Sequence, residues 1–209
     1  MSGVGVLAVQ GAFAEHEAVL RDLGAECFEI RKAADLDRRS EALVIPGGES
    51  TVMGKLVRDL GMFGRLRAMI EDGTPVLGTC AGMIMLAREV EGGTPHLATM
   101  PIKVRRNAYG RQLGSFSTTA DFAGLGRIPL EFIRAPAVED VSEGVQILSM
   151  VDSVPVAVRY GNQIATAFHP ELTDDRTVHR YFLDLVRGPE GAGAPFASGN
   201  LSTIPRFIV

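Results

Sequence analysis

Short apolar runs alternate with amphipathic segments through the first half of the chain. Four runs contain almost no polar residue, which is typical of strands covered on both faces: 4–9, 27–30, 42–46 and 75–79. The segments between them repeat apolar residues at helical spacing, over 13–24, 50–60 and 63–73. Alternating strands and helices joined by short turns predict βαβ units and a parallel, doubly wound sheet.

The second half is rich in shorter β-type segments. They are "PIKVRRN", "SFSTTADF", "LEFIRAP", "VQILSMV" and "VPVAVRYGNQIATAF", and the Gly161–Asn162 pair in the last predicts a hairpin turn. A helical stripe in "DDRTVHRYFLDLV" closes this half. We therefore expect an α/β fold of one domain over 1–187, with a mainly parallel, three-layer central sheet and antiparallel additions. Residues 188–209 form a Gly/Ala/Pro-rich tail.

Composition and charge narrow the class of protein. The 209 residues are 46% apolar and 22% charged, which is ordinary for a globular domain, and the net charge is −4. This balance gives no basic surface of the kind that nucleic acid binding requires. The N-terminus lacks the basic region of a signal peptide, and no apolar stretch reaches the about 18 residues of a membrane span. We expect a soluble, cytoplasmic protein with no nucleic acid or membrane partner.

Cys80 lies in "VLGTCAGM", where the strand-like run 75–79 meets a helical run over 81–90. A thiol here could fill the core, bind a metal, act as a redox centre or serve as a nucleophile. Glycines at 78 and 82 permit a tight turn and close approach of a substrate, and a helix N-terminus favours the thiolate. Ligands of open α/β sheets bind beyond the carboxyl ends of the strands, so we predict a nucleophile.

The base for this thiol is predicted in "FHPEL", residues 168–172, at another strand end. His169 and Glu171 are two residues apart, so in an extended segment their side chains leave the same side and Glu171 can orient the imidazole. The other histidines occupy helical or loop contexts without such a carboxylate, and we interpret them as structural or solvent-facing: His16, His96 and His179. None has metal-ligand spacing with Cys27 or Cys80, so no metal is predicted.

A third motif, "PGGEST" at 46–51, also follows a strand-like run. Its glycines and the following helix start offer backbone N–H groups to an anion or oxyanion, and the alternative is a glycine-rich helix cap with Ser50 as the capping residue. A Walker phosphate loop is excluded because Lys55 is followed by leucine. Several arginines are candidates to bind a carboxylate: Arg105, Arg106, Arg111 and Arg134.

With "PGGEST", "GTCAG", "RRNAYGRQ", "FIRAP" and "FHPEL" in this order, the sequence resembles the class I, triad-type glutamine amidotransferases. The opening "VGVLAVQGAFAEH" makes it similar, more narrowly, to the glutaminase subunits of two-protein pyridoxal 5′-phosphate synthases. The resemblance covers roughly residues 4–186 and implies the α/β fold expected above. The tail from Gly188 exceeds the usual length of that family.

The resemblance also implies roles for individual residues. Cys80 would attack the side-chain amide of L-glutamine, His169 would act as base and then acid, and Glu171 would orient His169. The oxyanion hole would come from backbone N–H groups of Gly47 or Gly48 and of Ala81. Glutamine would be held at Gly48, Glu49, Ser50, Arg106, Ile133 and Arg134. The family further implies no cofactor, and a docked pyridoxal 5′-phosphate synthase subunit that receives the ammonia by a protected route.

Three alternatives remain open from the sequence. The chain could be the glutaminase subunit of another amidotransferase pathway, which should lack "RNAYGRQ" and "FIRAP". It could be a stand-alone cysteine hydrolase on a similar scaffold, active without a partner and indifferent to glutamine. It could also be a non-catalytic binding protein, although the presence of Cys80, His169 and Glu171 argues against this.

Overall fold

The structure, a computed structural model, describes residues 3–108 and 115–188. The first half contributes β1 (Gly3–Leu7), α1 (Phe13–Asp22), β2 (Cys27–Ile30), β3 (Ser40–Ile45), α2 (Ser50–Asp59), α3 (Phe63–Glu71), β4 (Val76–Thr79) and α4 (Ala81–Leu86). The second half contributes β5 (Ala87–Glu91), β6 (Met100–Arg105), β7 (Ser115–Asp121), β8 (Arg127–Ile133), β9 (Ala137–Val141), β10 (Gln146–Val151), β11 (Val154–Tyr160), β12 (Gln163–Thr166) and α5 (Thr177–Arg187). Short 3₁₀ helices cover Ala33–Asp37 and Pro170–Leu172.

The central sheet has seven strands in the order β10-β11-β12-β4-β3-β1-β2. The five strands from β12 to β2 are parallel, and the hairpin of β10 and β11 adds antiparallel strands at one edge. Every residue of β1, β4 and β12 is buried, as expected for strands with both faces covered. The predicted α/β fold with a mainly parallel central sheet and antiparallel additions is therefore confirmed.

Turn chemistry at two glycines agrees with the sequence. Gly24 follows α1 with a φ of +81°, and its N–H bonds to the carbonyl of Arg21, so it ends the helix as a left-handed cap. Gly161 has a φ of +56° and, with Asn162, forms the two-residue turn between β11 and β12.

Two expectations for the middle of the chain were wrong. The helical run predicted over 81–90 ends at Leu86, and β5 begins at Ala87 and pairs with β6, since cross-strand pairing outweighs the local helical pattern. The strand β9 was missed, because "AVEDV" is short and carries two adjacent acidic residues. β5, β6 and β9 form a separate three-stranded sheet, and β7 and β8 a two-stranded one, instead of joining the central sheet.

Some expectations from the sequence concern residues that the structure does not describe. The tail over 188–209 lies, from residue 189 onward, outside the described residues, as does Arg111. Within the parts of the chain that the structure describes, no helix is long and apolar enough to cross a membrane.

Candidate active site

Cys80 occupies the sharp joint between β4 and α4. Its backbone has φ +48° and ψ −100°, a region that costs a non-glycine residue about 1–3 kcal/mol and is tolerated where the surroundings enforce it. The side chain is 6% exposed. A Cβ on Gly82 would lie 2.0 Å from the carbonyl oxygen of Ile45, so only glycine lets the turn approach β3 this closely. The structure therefore places the thiol on a nucleophile elbow.

His169 and Glu171 form a buried pair beyond the end of β12. Nδ1 of His169 lies 2.7 Å from Oε1 of Glu171, and the glutamate side chain is fully buried. The reason given from the sequence was wrong, since Glu171 lies in the 3₁₀ helix Pro170–Leu172 and not in an extended segment. The backbone N–H of His169 donates to the carbonyl of Glu131 at 2.8 Å, which ties this segment to β8.

The electrostatics of this pair favour a charged imidazole. Burial disfavours the imidazolium, but hydrogen bonds with Cys80 and Glu171, together with the negative charge of Glu171, raise the pKa of His169 to about 10. Burial also opposes ionisation of Glu171, but the adjacent imidazoles of His16 and His169 hold the pKa of its carboxyl below the ordinary value. Nδ1 of His169 is thus bonded to Glu171, and the pKa of His169 responds to the neighbouring Cys80.

The glycine loop after β3 packs directly on His169. A Cβ on Gly47 would lie 2.3 Å from Cε1 of His169, and one on Gly48 would lie 2.3 Å from Oε1 of Gln10. Ala81, the first residue of α4, follows Cys80. Of the three residues predicted for the oxyanion hole, Gly47 therefore lies against His169 and Ala81 adjoins Cys80, whereas Gly48 lies against Gln10.

The segment after β1 holds the glycine loop in place. Ala12 donates its backbone N–H to the carbonyl of Gly47 at 3.0 Å, and Glu49 donates its backbone N–H to Oε1 of Gln10 at 2.8 Å. Sequence reasoning did not assign Gln10 to the site. Its side chain fixes the backbone of the residues that the resemblance assigns to glutamine binding.

Glu49 and Arg106 meet at the start of α2. The Glu49 carboxylate caps the helix by accepting from the backbone N–H groups of Thr51 at 3.2 Å and Val52 at 2.8 Å, and it pairs with Nη2 of Arg106 at 2.9 Å. Partial burial opposes ionisation, but the amides of Val52 and Thr51 and the charge of Arg106 lower the pKa of Glu49. The alternative that Ser50 caps this helix was wrong, since Glu49 occupies that position.

The remaining predicted binding residues flank the thiol and a neighbouring pocket. The Ile133 carbonyl lies 3.8 Å from Sγ of Cys80, and Arg134, exposed and at a φ of +46°, turns the chain away after β8. A pocket of about 190 Å³ lies beside Ser50 and Arg106, and Cys80 does not line it. Its lining comprises Ser50, Thr51, Ile84, Val90, Gly93, Thr94, His96 and Arg106.

Two histidines that the sequence analysis set aside belong to the buried site. His16 is fully buried, and its Nε2 lies 3.3 Å from Oε2 of Glu171, so it does have a carboxylate partner. His179 is fully buried behind it. A signal was present in the sequence, because His16 shares the helical stripe of Leu20 and Leu23, which places it on the buried face of α1.

Comparisons with known proteins agree with this geometry. The family model described as the SNO glutamine amidotransferase family matches residues 6–187. A pyridoxal 5′-phosphate synthase subunit PdxT from Methanocorpusculum labreanum is 56% identical over 88% of this chain and 98% of its own length. A second protein of that name from Desulfitobacterium hafniense (strain Y51) is 54% identical, over 92% of this chain and 96% of its own length. A solved structure described as a glutamine amidotransferase superposes with a TM-score of 0.84 at 46% identity, covering 88% of this chain and 99% of that one. The chain therefore belongs to the SNO glutamine amidotransferase family.

Proposed function

We propose that this chain hydrolyses L-glutamine to L-glutamate and ammonia, with Cys80 as nucleophile, His169 as acid and base and Glu171 as the group that orients His169. The observation that carries the proposal is the buried pair of His169 and Glu171, 2.7 Å apart beside Cys80, at the adjacent carboxyl ends of β12 and β4. A thiol beside a carboxylate-bound imidazole is the arrangement required for acyl transfer through a thioester.

The first half of the reaction breaks the amide bond. His169 accepts the thiol proton of Cys80, and the sulfur attacks the side-chain amide carbon of glutamine. The imidazolium then gives its proton to the amide nitrogen, the carbon–nitrogen bond breaks and ammonia leaves. A γ-glutamyl thioester on Cys80 remains.

The second half releases glutamate. Neutral His169 accepts a proton from water, the resulting hydroxide attacks the thioester carbon and the carbon–sulfur bond breaks. The thiolate and imidazolium are thereby restored, and the balance is one glutamine and one water to one glutamate and one ammonia. Backbone N–H groups at Gly47 or Gly48 and at Ala81 stabilise the oxyanion in both halves.

Substrate is held by the residues around the glycine loop and the end of β8. Arg106 supplies a guanidinium for the α-carboxylate of glutamine, and Glu49, whose pKa is lowered, supplies a negative charge for the α-ammonium group. Backbone groups of Gly48, Ser50 and Ile133 line the approach to the thiol. Arg134, which follows Ile133 at the rim, adds a second positive charge.

The ammonia is delivered to a partner protein. The relatives from two organisms are named as subunits of pyridoxal 5′-phosphate synthase, which supports assembly of this chain with a synthase subunit. We place this assembly in the cytoplasm, as expected from the sequence. Ammonia released into water at neutral pH is mostly protonated and no longer a nucleophile, so direct delivery to the partner preserves it. Residues 1–187 form the glutaminase domain, which agrees with the matched range 6–187.

The test is glutamate release from L-glutamine by the purified chain, with and without a pyridoxal 5′-phosphate synthase subunit, alongside Cys80→Ala. We expect release that depends on Cys80 and rises when the synthase is added. Release that depends on Cys80 but ignores this partner would assign the glutaminase to another pathway. Absence of release in both conditions would overturn the proposal.

A further inference from the structure

A second layer of buried polar side chains lies behind the triad. His16 projects from α1 with one ring nitrogen, Nε2, 3.3 Å from Oε2 of Glu171 and 3.0 Å from Oγ1 of Thr79. Its other nitrogen, Nδ1, lies 3.0 Å from Nε2 of His179 on α5. Both imidazoles and the Glu171 side chain are fully buried, and Oε2 of Glu171 has no hydrogen-bond partner among the described residues.

The contacts determine which nitrogen of each ring carries the proton. An ionised carboxylate only accepts hydrogen bonds, so a bare Nε2 of His16 facing Glu171 would set two lone pairs against each other. Nε2 of His16 therefore carries the proton, and Nδ1 accepts from Nε2–H of His179. This leaves Nδ1 of His179 as an unprotonated acceptor, which is buried and has no hydrogen-bond partner among the described residues.

The charge state of the pair follows from its surroundings. Burial lowers the pKa of His16 in spite of the Glu171 charge, and burial holds the pKa of His179 well below its ordinary value. Burial therefore disfavours a positive charge on either ring. The titratable and charged groups that face the two rings are Glu171, His169, Glu15 and Arg176.

We propose that His16 is a positioning residue of the glutaminase, whose Nε2, bonded to Oγ1 of Thr79, lies 3.3 Å from Oε2 of Glu171 and holds that carboxylate with Oε1 aimed at Nδ1 of His169. His179 holds the tautomer of His16, in the way that a residue behind a metal-binding histidine fixes its ring. The catalytic series thus extends inward from Cys80 through His169 and Glu171 to His16 and His179. This inference rests on the function proposed above, because it assigns Glu171 the role of orienting His169.

A matched pair of substitutions at one position tests the donor. The amide nitrogen of His16→Gln replaces Nε2 and reaches Glu171, whereas the amide of His16→Asn ends near the position of Nδ1 and does not. Both replacements are polar and smaller than histidine, so they share the cost of lost packing. The control is Gln163→Leu, which removes a buried hydrogen bond to Thr99 at the opposite end of β12.

Two measurements on the full chain separate positioning from general destabilisation. The first is the rate of Cys80 alkylation by iodoacetamide as a function of pH, which reports the reactivity of the thiol beside His169 and needs no glutamine. The second is kcat and KM for glutamine in the presence of the synthase subunit. His16→Asn should slow alkylation near neutral pH at least tenfold and lower kcat ten- to hundredfold, with KM changed less than twofold.

The rescue variant His16→Gln and the control Gln163→Leu should behave differently from His16→Asn. His16→Gln should recover most of the alkylation rate and kcat, and Gln163→Leu should leave both close to wild type. The proposal is overturned if His16→Asn keeps the wild-type profile, or if His16→Gln loses as much as His16→Asn. A wild-type chain that releases no glutamate with the synthase subunit present would instead contradict the triad itself, which distinguishes failure of the proposed function from failure of this inference.

Discussion

Cys80 donates its backbone N–H to the carbonyl of Thr166 at 2.8 Å, which joins the end of β4 to the end of β12. The two strands are parallel neighbours, with Thr79 directly opposite Thr166. Cys80 follows one strand immediately and His169 follows the other, so residues distant in sequence emerge at the same edge of the sheet. The geometry of the proposed triad is therefore a property of this strand pair, and the glycine loop after β3 closes the candidate site from the adjacent strand.

Gly47→Ala should inactivate the protein without unfolding it. The added methyl group would lie 2.3 Å from Cε1 of His169, so the imidazole must move away from Cys80. A misplacement of about 1 Å can cost about 100-fold in rate, and we expect a loss of this size in kcat for glutamate release. Gly64→Ala on α3 is the control, since nothing lies within 4 Å of its added methyl group. Activity near wild type in Gly47→Ala would contradict the packing of this loop on the triad.

Gly82→Ala should destabilise the fold. The added methyl group would lie 2.0 Å from the carbonyl oxygen of Ile45, which is backbone and cannot rotate away. Overpacking of this kind costs about 1–3 kcal/mol, and we expect a corresponding fall in the free energy of unfolding in urea titrations. The same Gly64→Ala control should gain about 0.5–1 kcal/mol, because alanine is the better helix residue. Equal stability of the two variants would show that α4 does not approach β3 as described.

Arg106→Gln should weaken glutamine binding more than it slows chemistry. Loss of a charge-assisted hydrogen bond costs about 1.5–3 kcal/mol, which corresponds to a rise of about tenfold or more in KM. The effect on kcat should be small, because the group binds the part of the substrate that does not react. The neighbouring Arg105→Gln, which loses only a surface pair with Glu139, should leave KM unchanged. Similar KM values for both variants would remove Arg106 from the substrate site.

The stability of the protein should fall as the pH rises through the range set by His169. The pKa of this imidazole is raised from its ordinary 6.5 to about 10, so the native state keeps a proton that the unfolded state has released. The resulting stabilisation is full below the lower value and is lost as the pH rises to the upper one. Urea titrations across this range should show a steeper decline for wild type than for His169→Gln. Parallel declines would contradict the raised pKa.

Much of the fold was predictable because buried parallel strands have a distinct sequence pattern. The run "CFEI" coincides with β2, and "PVLGT" contains β4 entirely. The boundary between α4 and β5 was not predictable, since "MLAREV" continues a helical pattern and only pairing with β6 turns Ala87 into a strand residue. Local sequence specifies which positions are apolar, and partners from elsewhere in the chain decide the end of an element.

The candidate site could be predicted from the sequence only where its residues lie in short local motifs. Cys80 lies two residues from a glycine on either side, and His169 and Glu171 flank Pro170, which are local signals at strand ends. The inner histidines have no such signal, because His16 meets Glu171 and His179 meets His16 only when α1 and α5 pack on the sheet. A histidine on the apolar stripe of a helix is a buried polar group that needs a partner, and this requirement is the clue that the sequence offers.

Whether Cys80 is the nucleophile is tested most directly by acid quenching of the chain, with its synthase partner, during turnover of L-glutamine, followed by intact mass and peptide mapping. We expect a γ-glutamyl adduct, equal to glutamine minus ammonia, on the peptide that contains Cys80, and we expect no such adduct in Cys80→Ser. Cys27 is the internal control, because burial raises the pKa of its thiol to about 11 and keeps it protonated. An adduct on Cys27, or glutamate release from Cys80→Ser at the wild-type rate, would contradict Cys80 as the nucleophile.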